Sequence, residues 1–343
     1  MSLPNSHEAL LRVRDQLSGR VALIGISEPS LLGQLPGSGL AMTDQWGCYS
    51  RMAESGPWER VFGYPAAPVA EPVSTAVVFL AKSKAEIVWR LKLAVSWLGE
   101  GGSILLIGEK REGIASAARL LADIAPSPGK IDSARHCQVW RAPVGSSRPP
   151  FDPDQALRWL EDTVAGVPLR IAQLPGTFSA DRIDDGTRLL LESLDSSFGQ
   201  SQLRGPVLDF ACGCGVIGAW LGQRQPGLVV DGVDSQAQAV EAARLTYQAA
   251  DIAGSIMPSD GLSDVSGRYG LVVSNPPFHT GVKTDYSVAS EFFSRLRSHL
   301  QPGGRLVLVA NRFLPYPDLI KTALGNCITL AENKRFCVYQ SQI

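Results

Sequence analysis

The sequence predicts an α/β protein of two lobes, each a mostly parallel sheet covered by helices on both faces. Three observations lead there. At 343 residues the chain is long for one domain and sufficient for two that each bury a core. In its second half, short apolar runs alternate with stretches of helical spacing, the pattern of right-handed strand-helix-strand crossovers. Residues 300–324, with Gly-Gly, an apolar strand, a polar loop and a helix, repeat the plan of residues 98–121.

The elements follow in order. Residues 21–26 (VALIGI) read as an opening strand that runs into Ser27-Glu28-Pro29 with no glycine cluster. Residues 76–80 (AVVFL) form a second apolar run, in the place that residues 271–274 (LVVS) hold later. Four prolines and Gly-Ser-Ser in residues 143–153 suit a linker. Residues 154–165 then have helical spacing behind Asp154, which could cap them. The expected division is 1–150, a linker and helix at 151–170, and 171–343. Beyond it, residues 207–211 (VLDFA) read as a strand, 216–223 as a helix, 228–233 as a strand and 235–250 as an Ala-rich helix. Residues 271–274 are a buried strand, 290–300 a helix and 305–310 (RLVLVA) a strand.

Composition limits the function classes. No run approaches the roughly 20 apolar residues that cross a bilayer, and residues 1–10 lack a basic and then apolar leader, so a cytoplasmic location is expected. Six scattered cysteines suit reduced thiols. Cys212 and Cys214 form a C-x-C pair, but no second ligand pair stands at zinc-like spacing, so no metal is expected. A net charge of -1 means that any nucleic-acid surface must be local.

Gly213-Cys214-Gly215-Val216-Ile217-Gly218 satisfies G-x-G-x-x-G between a strand and a helix. Asp234, 21 residues after Gly213, ends the next strand where it can accept from ribose hydroxyls. Both NAD and S-adenosylmethionine suit that arrangement. Asp209, four residues before Gly213, matches the acidic position of a methyltransferase D/E-x-x-x-G-x-G pattern, where a carboxylate orders the loop and the cationic methionyl end. Asp260, before Gly261, falls where a third strand would end beside adenine, or is a plain turn residue. Expected cofactor contacts are Asp209, Ala211, Cys212, Gly213, Gly215, Asp234, Ser235, Asp260, Gly261 and Asn275.

Asn275-Pro276-Pro277-Phe278 follows a strand directly, on the edge where open α/β sheets place ligands. The prolines remove two backbone donors, leaving the Asn275 side-chain oxygen and the Pro276 carbonyl as acceptors. Such a pair can take both N–H groups of an exocyclic base amine and aim its lone pair at a methyl donor. Phe278 would stack on the base. These four residues are the expected catalytic group, and His279 reads as a substrate contact or surface residue.

The second half resembles the RsmC family of ribosomal RNA small-subunit guanine-N2 methyltransferases. The resemblance rests on residues 174–191, 207–218 (VLDFACGCGVIG), 233–242, 273–281 (VSNPPFHTG) and 308–319. It implies two tandem Rossmann-like class I methyltransferase domains with seven-stranded, mostly parallel sheets, the N-terminal one degenerate. It also implies S-adenosylmethionine as cosubstrate and 16S rRNA as partner, within the 30S subunit. Ala211 departs from the family, which usually has glycine there. A 23S rRNA guanine, an adenine N6 or a protein glutamine amide are alternative acceptors; an NAD oxidoreductase and a non-catalytic RNA-binding or assembly factor are the other classes. In the first lobe, Ala81-Lys82-Ser83-Lys84 is expected where Asn-Pro-Pro-Phe should stand, and Lys82, Lys84, Lys110 and Arg111 are expected to meet RNA phosphates.

Overall fold

The computed structural model describes residues 3–179, 181–198, 202–277 and 286–343. It divides into two compact units, Met1–Leu157 and Arg158–Ile343. The first unit contains α1 (Asn5–Arg12), β1 (Val21–Ile24), β2 (Gly39–Thr43), α2 (Trp46–Tyr49), β3 (Trp58–Phe62), β4 (Val73–Phe79), α3 (Lys84–Trp97), β5 (Leu98–Glu109), α4 (Ile114–Ala122), β6 (Gly129–Ala134) and β7 (Cys137–Pro143). Its seven strands lie in the order β3-β2-β1-β4-β5-β7-β6, with only the β5, β7 and β6 pairings antiparallel. Every residue of β1 and β2 is buried, as strands covered on both faces require.

The helix expected over residues 154–165 does not form. Pro153–Ala156 make one 3-10 turn, and β8 (Arg158–Val164) pairs antiparallel with β9 (Val167–Gln173). The physical reason lies at Ala165 and Gly166, whose φ values of +48° and +77° make the two-residue turn that matches strand twist. Val164 and Val167, facing each other across it, favour strand, and the Arg170 guanidinium lies 4.4 Å from the Trp159 ring. The hairpin is anchored in the second unit: the Ala172 N–H donates to Thr246 Oγ1 at 2.9 Å, and the Trp220 indole donates to the Val164 carbonyl at 3.0 Å.

The second unit continues with α5 (Asp185–Phe198), β10 (Val207–Phe210), α6 (Val216–Arg224), β11 (Val230–Asp234), α7 (Ala237–Ala249), β12 (Ile256–Pro258), β13 (Tyr269–Ser274), α8 (Tyr286–Leu296), β14 (Leu300–Asn311), α9 (Tyr316–Leu324), β15 (Ile328–Glu332) and β16 (Phe336–Gln342). The helix expected at 290–300 therefore starts and ends earlier, and Leu300 already opens β14. The strand order, β12-β11-β10-β13-β14-β16-β15, repeats that of the first unit. Leu208, Phe210, Val272, Phe293, Leu306 and Leu308 join one buried core cluster, in which Phe210 stacks on Phe292 at 4.2 Å. Because β10 pairs with β11 on one side and β13 on the other, chain order reverses at β10, which opens a crevice at the carboxyl ends of these strands. Among the described residues no helix is long and apolar enough to cross a membrane.

Candidate functional site

The glycine loop leaves β10 through Ala211, whose φ of +55° is left-handed backbone that costs an alanine about 1 kcal/mol. Its glycines serve different purposes. A Cβ on Gly213, at φ +53°, would meet nothing within 4 Å, so this backbone lies bare to the crevice. A Cβ on Gly218 would fall 1.7 Å from the Tyr247 hydroxyl, and one on Gly215 3.2 Å from Ala243 and Tyr247. Those two glycines let α7 close on the loop and α6.

Asp209 stands behind this loop. It is fully buried, and one carboxylate oxygen accepts the Gly218 N–H at 3.0 Å, fastening α6 to β10. Burial pushes its carboxyl up to about 8, against the pull of that N–H. Asp234 ends β11 and accepts the Gly213 N–H on one oxygen and the Gln236 N–H on the other, both at 2.9 Å. Burial raises its carboxyl, and loop amides oppose the rise. The carbonyl of Asp234 accepts the Ser259 N–H at 2.9 Å, which sets the exposed Asp260-Gly261 turn beside it and beside Ser235.

Cys212 and Cys214 are buried thiols. Burial raises both, Cys214 to about 12, so neither supplies a thiolate near neutral pH. Cys214 instead donates to Gln173 Oε1, as does Thr177 Oγ1, which ties the β9–α5 connection to the loop. Among the described residues no group of three or more His, Cys, Asp or Glu is arranged to hold a metal.

Asn275 follows β13, next to β10, where Ser274 Oγ donates to the Phe210 carbonyl at 2.7 Å. The Asn275 amide nitrogen donates to Thr187 Oγ1 at 2.9 Å and to Asp184 Oδ2 at 3.1 Å. Asp184 immediately precedes α5, and the same oxygen accepts the Gly186 and Thr187 N–H groups. Pro276 is buried and Pro277 exposed. Phe278 and His279 lie outside the described residues. Along one sheet edge, from β12 to β13, the order is thus Asp260, Asp234, the bare Gly213 loop and Asn275. Nothing in the local sequence pattern assigns Asp184, Thr187, Gln173 or Thr177 to the site. A helix-cap signature at Asp184-Asp185-Gly186-Thr187 was available for the first two.

The residues present fit S-adenosylmethionine. Bare backbone at Gly213 admits a ligand without clash, and the half-buried Asp234 keeps acceptor capacity for hydroxyls. Asp234 sets a carboxyl against the Gly213 loop, an unfavourable neighbour for a pyrophosphate, whereas Asp209, fully buried and pushed up to about 8, is held largely as the neutral acid near neutral pH and presents no charge to a ligand.

The first unit shows what the equivalent edge looks like without these features. Strand pairing sets Val21 against Thr75 in β4 as it sets Val207 against Leu271 in β13. Phe79-Leu80-Ala81-Lys82 therefore stands in the place of Asn275 to Phe278, two residues earlier than the sequence comparison put it. Gly25 matches Ala211, Ser27 matches Gly213, and Thr43 matches Asp234, down to its acceptance of the Gln45 N–H at 3.2 Å. The Arg90 guanidinium fills the space against Gly25, where a Cβ would fall 2.1 Å from its nitrogen. Arg90 donates to Asp44, to Glu86 at 2.8 Å and to the Phe79 carbonyl at 2.9 Å. Burial lifts Glu86 to about 7 although Arg90 opposes it, whereas at Asp44 burial is overcome by the Arg90 charge together with hydrogen bonds from Glu86, Arg90 and Gln45, which hold that carboxyl low. His7 stacks on Phe79 at 4.5 Å and accepts the Ser27 N–H at 3.2 Å.

Residues 168–340 match the family model "Methyltransferase small domain", and residues 7–159 match "Methyltransferase small domain N-terminal". A protein of Pseudomonas putida strain W619 named ribosomal RNA small subunit methyltransferase C is 41% identical over 336 residues, covering 97% of this chain and 98% of its own. A protein of the same name from Hahella chejuensis is 38% identical and covers 99% and 98%. The solved structure of the T. thermophilus 16S rRNA N2 G1207 methyltransferase (RsmC) in complex with AdoMet and guanosine has the same fold, with a TM-score of 0.85 at 23% identity over 99% of this chain and 92% of that one. With relatives of this identity along nearly its whole length, the chain belongs to the ribosomal RNA small subunit methyltransferase C family.

Proposed function

We propose that this protein transfers a methyl group from S-adenosylmethionine to the exocyclic N2 of a guanine in 16S ribosomal RNA, acting in the cytoplasm on the assembled 30S subunit. The observation that carries the reading is Asn275: an acceptor at the end of β13, beside the bare Gly213 loop and in line with Asp234, in a chain whose relatives are named ribosomal RNA small subunit methyltransferases.

The bound cosubstrate supplies an electrophilic methyl on a sulfonium. Asp234, Ser235 and the Asp260-Gly261 turn hold the nucleoside end, and the Gly213 loop admits the methionyl end. Asn275 Oδ1 and the Pro276 carbonyl accept the two N–H groups of guanine N2, whose lone pair is otherwise delocalised into the ring. Pulled toward tetrahedral geometry, N2 forms its bond to the methyl carbon as the methyl–sulfur bond breaks and the bonding pair leaves with sulfur. The alkylated nitrogen then sheds one proton to solvent, so no strong base is needed. Orientation and tighter holding of the pyramidal nitrogen supply the barrier lowering. Phe278 stacks on the base, which has left its helix because A-form RNA hides base edges.

Catalysis falls to the C-terminal part, residues 171–343, and the N-terminal 1–150 serves to hold RNA. Lys82 follows β4 and Lys110 and Arg111 follow the neighbouring β5, so the three lie along one edge of the first sheet, with Lys84 close behind in sequence. Arg111 is partly engaged by Glu109 at 2.6 Å, and all four are exposed. Replacing Lys82, Lys84 and Lys110 with Ala should reduce the salt slope of RNA binding by about 2 to 3; an unchanged slope rejects this role. For the activity, 16S rRNA from a deletion strain should lack one guanine methyl by mass mapping, restored by the wild-type gene and not by Asn275→Ala.

A further inference from the structure

We infer that Asp184 is a positioning residue for methyl transfer: its carboxylate fixes which end of the Asn275 amide faces the substrate. The inference rests on the proposed role of Asn275 and adds to it a part 91 residues away in sequence.

An asparagine amide is nearly symmetric in shape and opposite in hydrogen-bonding sense at its two ends. Turned one way, Asn275 offers an oxygen to an amine; turned the other, it offers a second donor, which repels the amine's N–H groups and holds nothing. A hydroxyl neighbour cannot decide the matter, because Thr187 Oγ1 can donate as readily as accept. An ionised carboxylate can only accept. Asp184 Oδ2, 3.1 Å from the amide nitrogen, therefore selects the orientation in which Nδ2 is spent on Asp184 and Thr187 and Oδ1 is left for the substrate.

Asp184 is itself held. Its Oδ2 accepts the Gly186 N–H at 2.9 Å and the Thr187 N–H at 3.2 Å at the first turn of α5. The helix N-terminus thus pins the carboxylate that pins the amide. Placing Thr187 within the same turn gives the Asn275 nitrogen both acceptors from one rigid element, so the amide needs no reorganisation when substrate arrives. The first unit has no such demand: Phe79 occupies the position of Asn275 and stacks on His7 of α1.

The test separates orientation from helix capping. Asp184→Ser keeps a capping oxygen for the first turn of α5, but its short hydroxyl donates as readily as it accepts and no longer fixes the Asn275 amide. With 30S subunits from a strain lacking the enzyme, kcat should fall by about 100-fold while the S-adenosylmethionine dissociation constant and Tm stay near wild type. Asp184→Asn, whose amide oxygen can take the place of Oδ2 and accept from Gly186, Thr187 and Asn275 alike, should restore kcat to about tenfold above that of Asp184→Ser. A wild-type kcat for Asp184→Ser beside an inactive Asn275→Ala overturns the inference and spares the role of Asn275. Parallel loss of Tm, cosubstrate affinity and rate in Asp184→Ser, with no recovery in Asp184→Asn, reduces Asp184 to a helix cap and also overturns it. Wild-type activity of Asn275→Ala removes the functional reading itself, and the inference with it.

Discussion

The two units share a strand order, a register and even the small cap in which a β-end side chain accepts the N–H two residues on, yet their carboxyl edges have opposite contents. In the second unit the edge is backbone bare at Gly213, with carboxylates facing or flanking it. In the first, Arg90 lies against Gly25, the counterpart of Ala211, its guanidinium neutralised by Asp44 and surrounded by Glu86, Tyr64 and the Phe79 carbonyl. The difference teaches that a sheet of this topology does not need a ligand to complete its edge. A protein cation with enough acceptors can occupy part of it instead.

The comparison breaks most visibly at Arg90. Replacing it with Ala leaves Asp44 charged and buried without a partner, which should destabilise the first unit by about 3–5 kcal/mol in denaturant unfolding. A loss below about 1 kcal/mol would mean that the ion cluster is not what completes this edge. Next comes Asp234→Thr, which copies Thr43 into the second unit. The Gln236 cap should survive, since Thr43 serves the same N–H in the first unit, while the acceptor for the Gly213 N–H and the proposed bonds to the ribose are lost. S-adenosylmethionine affinity should drop about 10- to 100-fold by calorimetry, with Tm little changed.

Titration sharpens the contrast further. Asp209 is raised to about 8 from an ordinary 3.8, so the folded state holds its proton more tightly than the unfolded chain does. Stability from this group is fully present below pH 4 and declines as pH rises toward 8, on the order of 5 kcal/mol in all. Asp209→Asn should flatten that decline while keeping an oxygen for the Gly218 N–H. The smallest effect is expected at Glu86. Its carboxyl, raised to about 7 from 4.5, loses stability over that window and is half protonated near neutrality. Glu86→Gln should shift stability by under about 1 kcal/mol at pH 7, against the large loss at Arg90.

Much of the fold and half of the site were legible in the sequence because they are local patterns. A glycine cluster after an apolar run, an acid at the next strand end and Asn-Pro-Pro after a third strand each lie within a few residues. The rest required proximity that no short window contains. Asp184 and Thr187 meet Asn275 across 91 and 88 residues, and Arg90 meets Asp44 across 46. The hairpin at 158–173 is hidden in the sequence because Asp154 and the spacing of Ala156, Trp159 and Leu160 suit a helix. The decisive datum was the positive φ of Ala165 and Gly166, which tertiary support from Trp220 and Thr246 sustains. The two-residue slip at Lys82 arose because residues 76–80 are uniformly apolar, and only the pairing of β4 with β1 assigns their register.

Gly25 carries a further consequence. Its missing side chain is what makes room for Arg90, and Arg90 is what makes Asp44 and Glu86 tolerable inside the protein. Each change in that trio presupposes the others, so any single step back toward an open crevice strands a charge or creates a collision.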